Sequence, residues 1–328
     1  MTYLWPEWSV RRRAQACFAR AGQAAPALRV RFSDDLWNNF DGILEREGAG
    51  YLLLLPRRMR KRKIDLQAWR AGAYLNYMAR TSANVQRLLV HFSDGDNLSH
   101  GGFFFSSFRD DVCLLPDIYF FETLGFQDLR DEVAGADIVW EDRSEDLVWR
   151  GAANGSGLMT TEAHLADHPG IMQRVRCVAL CHNTEIDCGF VVPPRGPYRD
   201  SFLRVGWLRD RTPRNDWFGK KYALDLDGFA STWDNQFHRM LMGCCILKVG
   251  SDFGFSQWYY DRLKAWEHYV PVKSDLSDLF EKYDWVREND AQAREIAQEG
   301  RALAHSMTFE AEMRYAAQAI ENNWKSFS

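Results

Sequence analysis

Long apolar runs are missing from this sequence, and no segment reaches the roughly eighteen apolar residues that a membrane-spanning helix needs. The first residues, MTYLWPEWSVRRRAQACFARAG, place basic side chains after the apolar ones, whereas a secretory signal has the opposite order. Both features lead us to expect a soluble, cytoplasmic protein.

Cysteine is scarce, and the seven residues of this type are odd in number and lack the spacing of a disulfide framework. This pattern is typical of a protein from a reducing compartment. Cys177, Cys181, His182 and Cys188 lie close together in the sequence and offer ligands of the kind that zinc prefers. Because no CxxC pair occurs, we favour the alternative that these cysteines are buried thiols on a helix and a nearby strand.

Net positive charge is lacking as well, since 41 Lys and Arg residues are outnumbered by 45 Asp and Glu residues. Nucleic-acid binding depends on clustered positive charge, so we expect no nucleic-acid partner. A hydrophobic content of 46% and an aromatic content of 14% exclude a disordered chain. The 328 residues are enough for two hydrophobic cores.

One stretch departs from this charge balance. Residues 57–63, RRMRKRK, carry six basic side chains: Arg57, Arg58, Arg60, Lys61, Arg62 and Lys63. A run of this density is usually a solvated loop. Near an anionic membrane, however, each basic residue contributes about 1 kcal/mol of attraction. We therefore keep peripheral contact with the inner face of a membrane as an alternative.

A strand, a helix and a second strand are predicted in quick succession after residue 220. Apolar residues alternate in YALDL (222–226), and Asp227-Gly228 then forms a turn. Ser231 or Thr232 is suited to cap the helix that follows. The run CCILKV (244–249) is almost wholly apolar, as expected of a strand buried on both faces.

The same alternation continues towards the carboxyl terminus. We predict a helix capped by Ser256, a strand at HYVPV (268–272) and a helix capped by Ser274. This order predicts an α/β fold with a parallel sheet and helices on both faces. Ligands of such folds bind beyond the carboxyl ends of the strands, so the loop 227–232 is suited to a diphosphate, although a plain turn is the alternative.

The carboxy-terminal half resembles the family 90 glycosyltransferases in several segments that occur in the same order. These segments are KYALDLDG (221–228), CCILKV, QWYYDRLKAWEHYVPV (257–272), DLSDL (275–279) and AREIAQEGRALA (293–304). The resemblance implies a GT-B-like fold, with two Rossmann-type domains whose parallel sheets face a central cleft. We place an acceptor-side domain at residues 1–145, completed by a terminal helix at 309–328, and a nucleotide-sugar domain at 146–308.

Asp94 directly follows the predicted strand RLLVHF (87–92). It therefore stands at the carboxyl end of that strand, where ligands of doubly wound folds bind. The resemblance makes Asp94 the catalytic base that removes a proton from the acceptor hydroxyl, with Asp96 as the competing candidate. A turn-forming role for either aspartate is the alternative that the sequence leaves open.

Several segments of the second half are similar to the donor site of the family. DLVWRGAANGSG (146–157) matches its Trp-Arg-Gly element, in which a strand leads into a glycine-rich turn near the nucleotide. The resemblance assigns a phosphate-contacting arginine to Arg176 or Arg174, and we favour Arg176 over a plain salt bridge. The predicted donor-binding residues are Arg150, Gly151, Arg174, Arg176, Lys221, Asp227, Gly228, Ser231 and Thr232.

The sequence departs from the family at one position of the donor site. In eukaryotic members an arginine lies in the helix after the 227–228 loop, whereas TWDNQF (232–237) contains no cation. Either backbone amides, Arg176 and Lys221 or Lys248 hold the diphosphate here, or donor binding has changed.

Taken with the resemblance, the sequence predicts an inverting glycosyltransferase without metal or other cofactor. It would move a hexose or pentose from a UDP-sugar to a glycan or lipid-linked saccharide, in lipopolysaccharide, capsule or other cell-surface polysaccharide synthesis. Two alternatives stay open. Asp225-Leu226-Asp227 and Asp94-Gly95-Asp96 spell the Asp-x-Asp motif of metal-dependent glycosyltransferases, and the same fold also suits a non-catalytic sugar-nucleotide or glycan-binding protein.

Overall fold

A computed structural model describes residues 6–36, 38, 40–58, 65–95, 101–136, 139–194, 196 and 198–327. The chain divides into two compact units. Unit 1 comprises Met1–Gln127, Ser256–Tyr259 and Met307–Ser328, and unit 2 comprises Asp128–Phe255 and Tyr260–Ser306.

The elements follow one another as α1 (Glu7–Arg20), β1 (Leu28–Ser33), β2 (Asp41–Glu47), β3 (Gly50–Pro56), α2 (Asp65–Ala79), β4 (Arg87–His91), β5 (Gly102–Phe104), β6 (Val112–Leu114), α3 (Ile118–Glu122), α4 (Gln127–Gly135), β7 (Ser144–Ala152), α5 (Gln173–Cys181), β8 (Asp187–Val192), α6 (Tyr198–Arg204), β9 (Lys220–Asp225), α7 (Asp234–Leu241), β10 (Cys245–Val249), β11 (Val270–Val272), α8 (Leu279–Glu288), α9 (Asp290–Ser306) and α10 (Phe309–Asn323). The predicted α/β class is confirmed.

Unit 1 contains a mixed six-stranded sheet in the order β1-β3-β2-β4-β5-β6. Strand β2 runs antiparallel to both β3 and β4, while the other neighbours are parallel. The expectation of a wholly parallel sheet in this half is therefore wrong. The reason lies in the turn after Glu47, where Gly48 adopts a φ of +57° and lets the chain fold straight back as a hairpin.

Unit 2 contains a five-stranded sheet in the order β11-β10-β9-β7-β8, and every described pairing in it is parallel. Because the strands are parallel, their carboxyl ends share one edge of the sheet. The β9–α7–β10 segment, predicted from its apolar pattern, supplies the centre. Gly243 ends α7 with a φ of +71°, and its N–H donates to the Met240 carbonyl.

One predicted helix is absent near residue 260, and one predicted helix cap is wrong. Ser256 starts no α-helix, and the structure has a short 3-10 turn at Tyr260–Arg262 instead. The adjacent aromatic residues Trp258 and Tyr259 are both buried, so the segment has no helical division between a buried and an exposed face. Ser274 does not cap α8, because the chain turns first and Asp278 occupies the N-cap position.

Candidate functional site

Two glycine-containing loops meet at the carboxyl edge of the sheet in unit 2. One follows β7 and contains Gly155, whose φ is +147°, and the other follows β9 and contains Gly228. A Cβ atom added to Gly155 would lie 3.3 Å from the carbonyl oxygen of Gly228, so the two backbones approach closely. This crowding favours small residues, and it places both loops at the edge where ligands of parallel sheets bind.

Arg174, in the first turn of α5, joins these loops. Its guanidinium donates to the carbonyl oxygens of Ala152, Leu226 and Asp227 at 3.2, 3.1 and 2.7 Å, and to Oδ1 of Asn154 at 2.5 Å. Burial lowers the pKa of Arg174 to about 10, which still leaves it charged at neutral pH. Because its donors are engaged with protein oxygens, Arg174 holds the loops in place.

Gly228 is packed directly against this arginine. A Cβ atom at position 228 would lie 2.9 Å from Nη2 of Arg174, closer than real Cβ contacts allow. A larger residue at this position would therefore displace the guanidinium of Arg174 from its hydrogen bonds.

Arg176 lies two residues further along α5 and has a different environment. It forms an ion pair with Asp252, and its side chain is only 7% exposed. Among the described residues its Nε has no hydrogen-bond partner. The residue lines a cavity of about 600 Å³ together with Asp167, Leu180, Asp275, Ser277 and Phe280. Arg176 thus lines a cavity and has fewer hydrogen bonds to protein atoms than Arg174, which is the better arrangement for an incoming anion.

Gln173 explains how α5 is positioned. Its buried side chain donates to the carbonyl oxygens of Gly250 and Ser274 at 2.8 and 2.9 Å. These two residues follow β10 and β11. The Gln173 amide therefore fixes the start of α5 against the ends of β10 and β11. This contact also positions Arg174 and Arg176, which lie in the same turn of α5.

A cluster of polar residues lies beside the first turn of α7, and we call it the strand-end cluster. Lys248 contributes its ammonium group, which lies 3.2 Å from Oδ2 of Asp225 and 2.9 Å from Oε1 of Gln236. Asn235 donates to the other oxygen of Asp225, and the ring of Tyr260 lies 4.3 Å from the ammonium nitrogen.

The strand-end cluster keeps a positive charge at this position. Burial alone would lower the pKa of Lys248, but Tyr260, Asp225 and Asp227 outweigh it and raise that pKa above its ordinary value. Lys248 therefore supplies a cation next to a helix whose first turn has none of its own. Both oxygens of Asp225 already accept hydrogen bonds, which makes this carboxylate a poor candidate for a metal ligand.

The loop between β9 and α7 contains several unfavourable features. Burial raises the pKa of Asp227 to about 6. The buried hydroxyl of Ser231 has no hydrogen-bond partner among the described residues. Trp233 occupies the N-cap of α7 with a φ of +56°, and no side chain caps the helix, so the predicted cap by Ser231 or Thr232 is wrong. Thr232 instead lies 3.5 Å from the hydroxyl of Tyr260.

Three further predicted donor residues lie in strands of unit 2. Lys221 is at the amino-terminal end of β9, the opposite end from the glycine loops, and its ammonium group pairs with Glu145 and Asp290 at 2.9 and 2.8 Å. Arg150 lies in β7 and pairs with Asp187. Gly151 packs against the indole of Trp149. The structure therefore does not bring Lys221 to the edge that carries Asp227 and Gly228.

Asp94 follows β4 in unit 1, as predicted, and its side chain is 40% exposed. Its Oδ1 accepts a hydrogen bond of 2.6 Å from Arg70, a residue of α2 that is only 2% exposed. The same guanidinium donates to the carbonyl oxygen of Phe92. Arg70 therefore connects the strand end to the carboxylate and fixes the orientation of Asp94.

A second buried polar chain supports the same loop. Nδ1 of His91 lies 2.6 Å from Asp41, and Nε2 lies 2.5 Å from the hydroxyl of Ser93. Ser93 in turn accepts a hydrogen bond from the N–H of Gly95. The residues on both sides of Asp94 are thus held by β2 and β4.

Some predicted residues fall outside the described part of the chain. Asp96, the competitor of Asp94, is one of them. Of the basic run at 57–63, only Arg57 and Arg58 are described, and Arg57 pairs with Asp34 at 2.7 Å on an exposed surface. Within the described ranges, no helix combines the length and apolar character required to cross a bilayer.

Comparison with protein families supports the predicted resemblance. The model of glycosyl transferase family 90 matches residues 126–322, which is more than half of the chain. The chain belongs to glycosyltransferase family 90.

Individual members of family 90 and other relatives share shorter segments with this chain. Uncharacterized protein 179R of Invertebrate iridescent virus 6 is 33% identical over 183 residues, which cover 49% of this chain and 15% of the viral protein. Human protein O-glucosyltransferase 3 is 38% identical over 92 residues, or 28% of this chain and 18% of the human protein. The chain thus matches less than a fifth of the length of these curated relatives.

Among solved structures, that of Anabaena HepE in complex with UDP-glucose is similar with a TM-score of 0.34 and 11% identity. That similarity covers 60% of this chain and 52% of the other.

Sequence reasoning missed several residues of this family 90 chain. Arg70, Asp252 and Gln173 were not singled out, although each orients a predicted site residue or the helix that carries it. A signal existed only for Arg70, which is the one basic residue in the sequence of α2. Asp252 and Gln173 act through contacts about eighty residues apart in sequence, which no local pattern reveals.

Proposed function

We propose that this family 90 chain is an inverting glycosyltransferase that moves a hexose or pentose from a UDP-sugar to a hydroxyl group of a glycan. The observation that carries the proposal is the carboxyl edge of unit 2. There Arg174 braces the loop of Asp227 and Gly228, and Arg176 and Lys248 supply positive charge. The GT-B-like arrangement expected from the family is part of the proposal.

The donor diphosphate is proposed to lie between the 227–232 loop and α5. Arg176 would exchange part of its pairing with Asp252 for phosphate oxygens, and the first N–H groups of α7 would add hydrogen bonds. Lys248 takes the electrostatic place of the arginine that eukaryotic members carry in the helix after this loop. Negative charge that develops on departing UDP would be stabilised by these fixed donors without a metal ion.

Asp94 is proposed as the general base. Its exposed carboxylate would accept the proton of the acceptor hydroxyl as that oxygen attacks the anomeric carbon on the face opposite the leaving UDP. Arg70 would hold the carboxylate in one orientation during this step. A positioned base of this kind contributes about 10²–10⁴-fold to the rate.

The acceptor is proposed to be a glycan or a lipid-linked saccharide. A lipopolysaccharide, capsule or other cell-surface polysaccharide role rests on the family resemblance and on the basic run at 57–63. Peripheral membrane contact is proposed on the same ground.

The proposal is tested with the purified chain, a panel of UDP-sugars and glycan acceptors, with and without EDTA. We expect UDP to raise the melting temperature, and EDTA to leave both this shift and turnover unchanged. Asp94→Asn should lower kcat by about 100-fold or more while UDP still binds.

Asp111→Asn is the matched control, because Asp111 is also an aspartate of unit 1 that pairs with an arginine, Arg109. It should leave kcat unchanged. UDP binding without turnover in the wild-type chain would instead indicate a sugar-nucleotide-binding protein. Loss of activity in EDTA would show that the chemistry depends on a metal.

A further inference from the structure

Three cysteine thiols meet in the core of unit 2. Cys177 and Cys181 lie one helical turn apart on α5, and Cys188 lies on the adjacent strand β8. All three are buried, with exposures of 0, 3 and 5%. The predicted placement on a helix and a nearby strand is therefore correct, but the three sulfur atoms also converge, which the sequence spacing did not indicate.

One distance between the sulfur atoms matches a coordination site, and the others are close to it. Sγ of Cys177 and Sγ of Cys188 are 3.9 Å apart, and all three sulfur atoms lie within 4.8 Å of one another. Bonds of about 2.3 Å from a central metal ion separate thiolate sulfurs by about 4.0 Å in a trigonal plane and about 3.8 Å in a tetrahedron. The pair at 3.9 Å already has this spacing, and the third sulfur needs to move by less than about 1 Å.

From this convergence we infer that Cys177, Cys181 and Cys188 form a binding site for a thiophilic metal ion, Cu⁺ or Zn²⁺. Three thiolates are the ligand set that selects such soft ions over Mg²⁺ or Ca²⁺. Among the described residues no histidine, aspartate or glutamate joins the three sulfurs. A three-sulfur set suits trigonal Cu⁺, whereas Zn²⁺ usually takes a fourth ligand, which these three buried thiols do not supply.

Binding is written as the replacement of three S–H protons by one metal ion. Each thiol gives its proton to solvent, no electron is transferred, and three metal–sulfur bonds form. The ion would tie α5 to β8. Because α5 also carries Arg174 and Arg176, occupancy would stabilise the helix that holds both arginines. The inference itself does not depend on the proposed glycosyl transfer.

The first measurement is the metal content of the full chain purified under reducing conditions without a chelator. We expect one equivalent of copper or zinc per chain, and the element found decides between the two ions. The metal-free chain is then titrated with Cd²⁺, a spectroscopic substitute for thiolate sites. Ultraviolet sulfur-to-cadmium charge transfer should saturate at one equivalent, and the melting temperature should rise with Cd²⁺ concentration.

Cys188→Ser is the decisive variant, and Cys245→Ser is its control because Cys245 is an equally buried thiol on β10 outside the cluster. We expect Cys188→Ser to weaken Cd²⁺ binding at least 100-fold and Cys245→Ser to leave it unchanged. If Cys188→Ser does not fold, ¹¹³Cd NMR of the wild-type complex supplies the test, since three sulfur ligands produce a strongly downfield resonance.

Three results would overturn the inference. One is a metal-free protein that shows no charge-transfer band with Cd²⁺. Another is equal loss of Cd²⁺ binding in both serine variants. The third is a Cys177–Cys188 disulfide, found by mass spectrometry in protein purified without oxygen. Each would mean that the thiols pack as ordinary small apolar groups or pair with one another.

Discussion

Replacement of Asp227 by asparagine is expected to make the unliganded protein more stable at neutral pH. Burial raises the pKa of this carboxyl group from its ordinary value of 3.8 to about 6, although Lys248 and a hydrogen bond from Ser251 act in the opposite direction. The folded protein therefore holds the Asp227 proton more tightly than the unfolded chain does. Ionisation at neutral pH opposes folding, and an uncharged asparagine avoids that cost.

The size of the effect follows from the two pKa values. They differ by about two pH units, and each unit corresponds to about 1.4 kcal/mol, so the full effect is about 3 kcal/mol. The stability supplied by the protonated form is fully present below about pH 4 and is lost as the pH rises through about 6. Asp227→Asn should therefore exceed the wild type by up to about 3 kcal/mol at about pH 8, and the gain should shrink towards about pH 4.

Urea unfolding of both proteins across this pH range measures the effect. Asp146→Asn is the control, because hydrogen bonds from Lys220 and Ser144 lower the pKa of Asp146, so its replacement should bring no gain. Equal stabilities of Asp227→Asn and wild type at about pH 8 would refute the reasoning. So would a difference that grows as the pH falls, since that would mean that the pKa of Asp227 is lowered by folding.

Three further variants test the site. Arg176→Ala should weaken UDP binding about 10-fold or more through loss of a charge-assisted contact, measured by calorimetry, and unchanged affinity would remove Arg176 from the donor site. Gly228→Ala should lower the free energy of unfolding by about 1–3 kcal/mol and also weaken UDP binding, because the new Cβ atom would crowd the guanidinium of Arg174. Gly219→Ala, which meets no atom within 4 Å, should change neither property. Arg70→Lys should lower kcat about 10-fold with little change in KM, because a lysine cannot donate to Asp94 and to the Phe92 carbonyl in the same geometry. An equal change in kcat and KM would contradict a positioning role.

The sequence predicted the centre of unit 2 well because its signals there are local. The alternation before Asp227 and the apolar run 244–249 each depend on residues that are neighbours in the chain. Prediction of secondary structure failed where the burial of a side chain depends on contacts with residues far away in the sequence. Trp258, for example, donates a hydrogen bond to Glu312 across more than fifty residues, and its segment forms turns in place of the expected helix.

In the candidate site, too, features with a local sequence signal were predicted and features that depend on distant contacts were not. Asp94 and the 227–228 loop were placed correctly at strand ends, because strand ends can be recognised from the apolar pattern. The partners of the site residues could not be recognised in this way, since Arg70 meets Asp94, and Asp252 meets Arg176, only in the folded chain. Lys221 shows a different error. It is close to the 227–228 loop in sequence, but it lies at the other end of β9 in the folded chain.

Several unfavourable features of unit 2 lie in one short segment, from Asp227 to Trp233. A carboxyl group with a raised pKa, a buried hydroxyl without a partner among the described residues and a non-glycine residue at positive φ each cost about 1–3 kcal/mol. The strands on either side, β9 and β10, are almost wholly buried and hold the segment in this conformation. An unpaired hydroxyl and the uncapped N–H groups of α7 are costs in the free protein, but they are ready donors for an anion. We therefore propose that the unfavourable features of this loop serve anion binding rather than the stability of the fold.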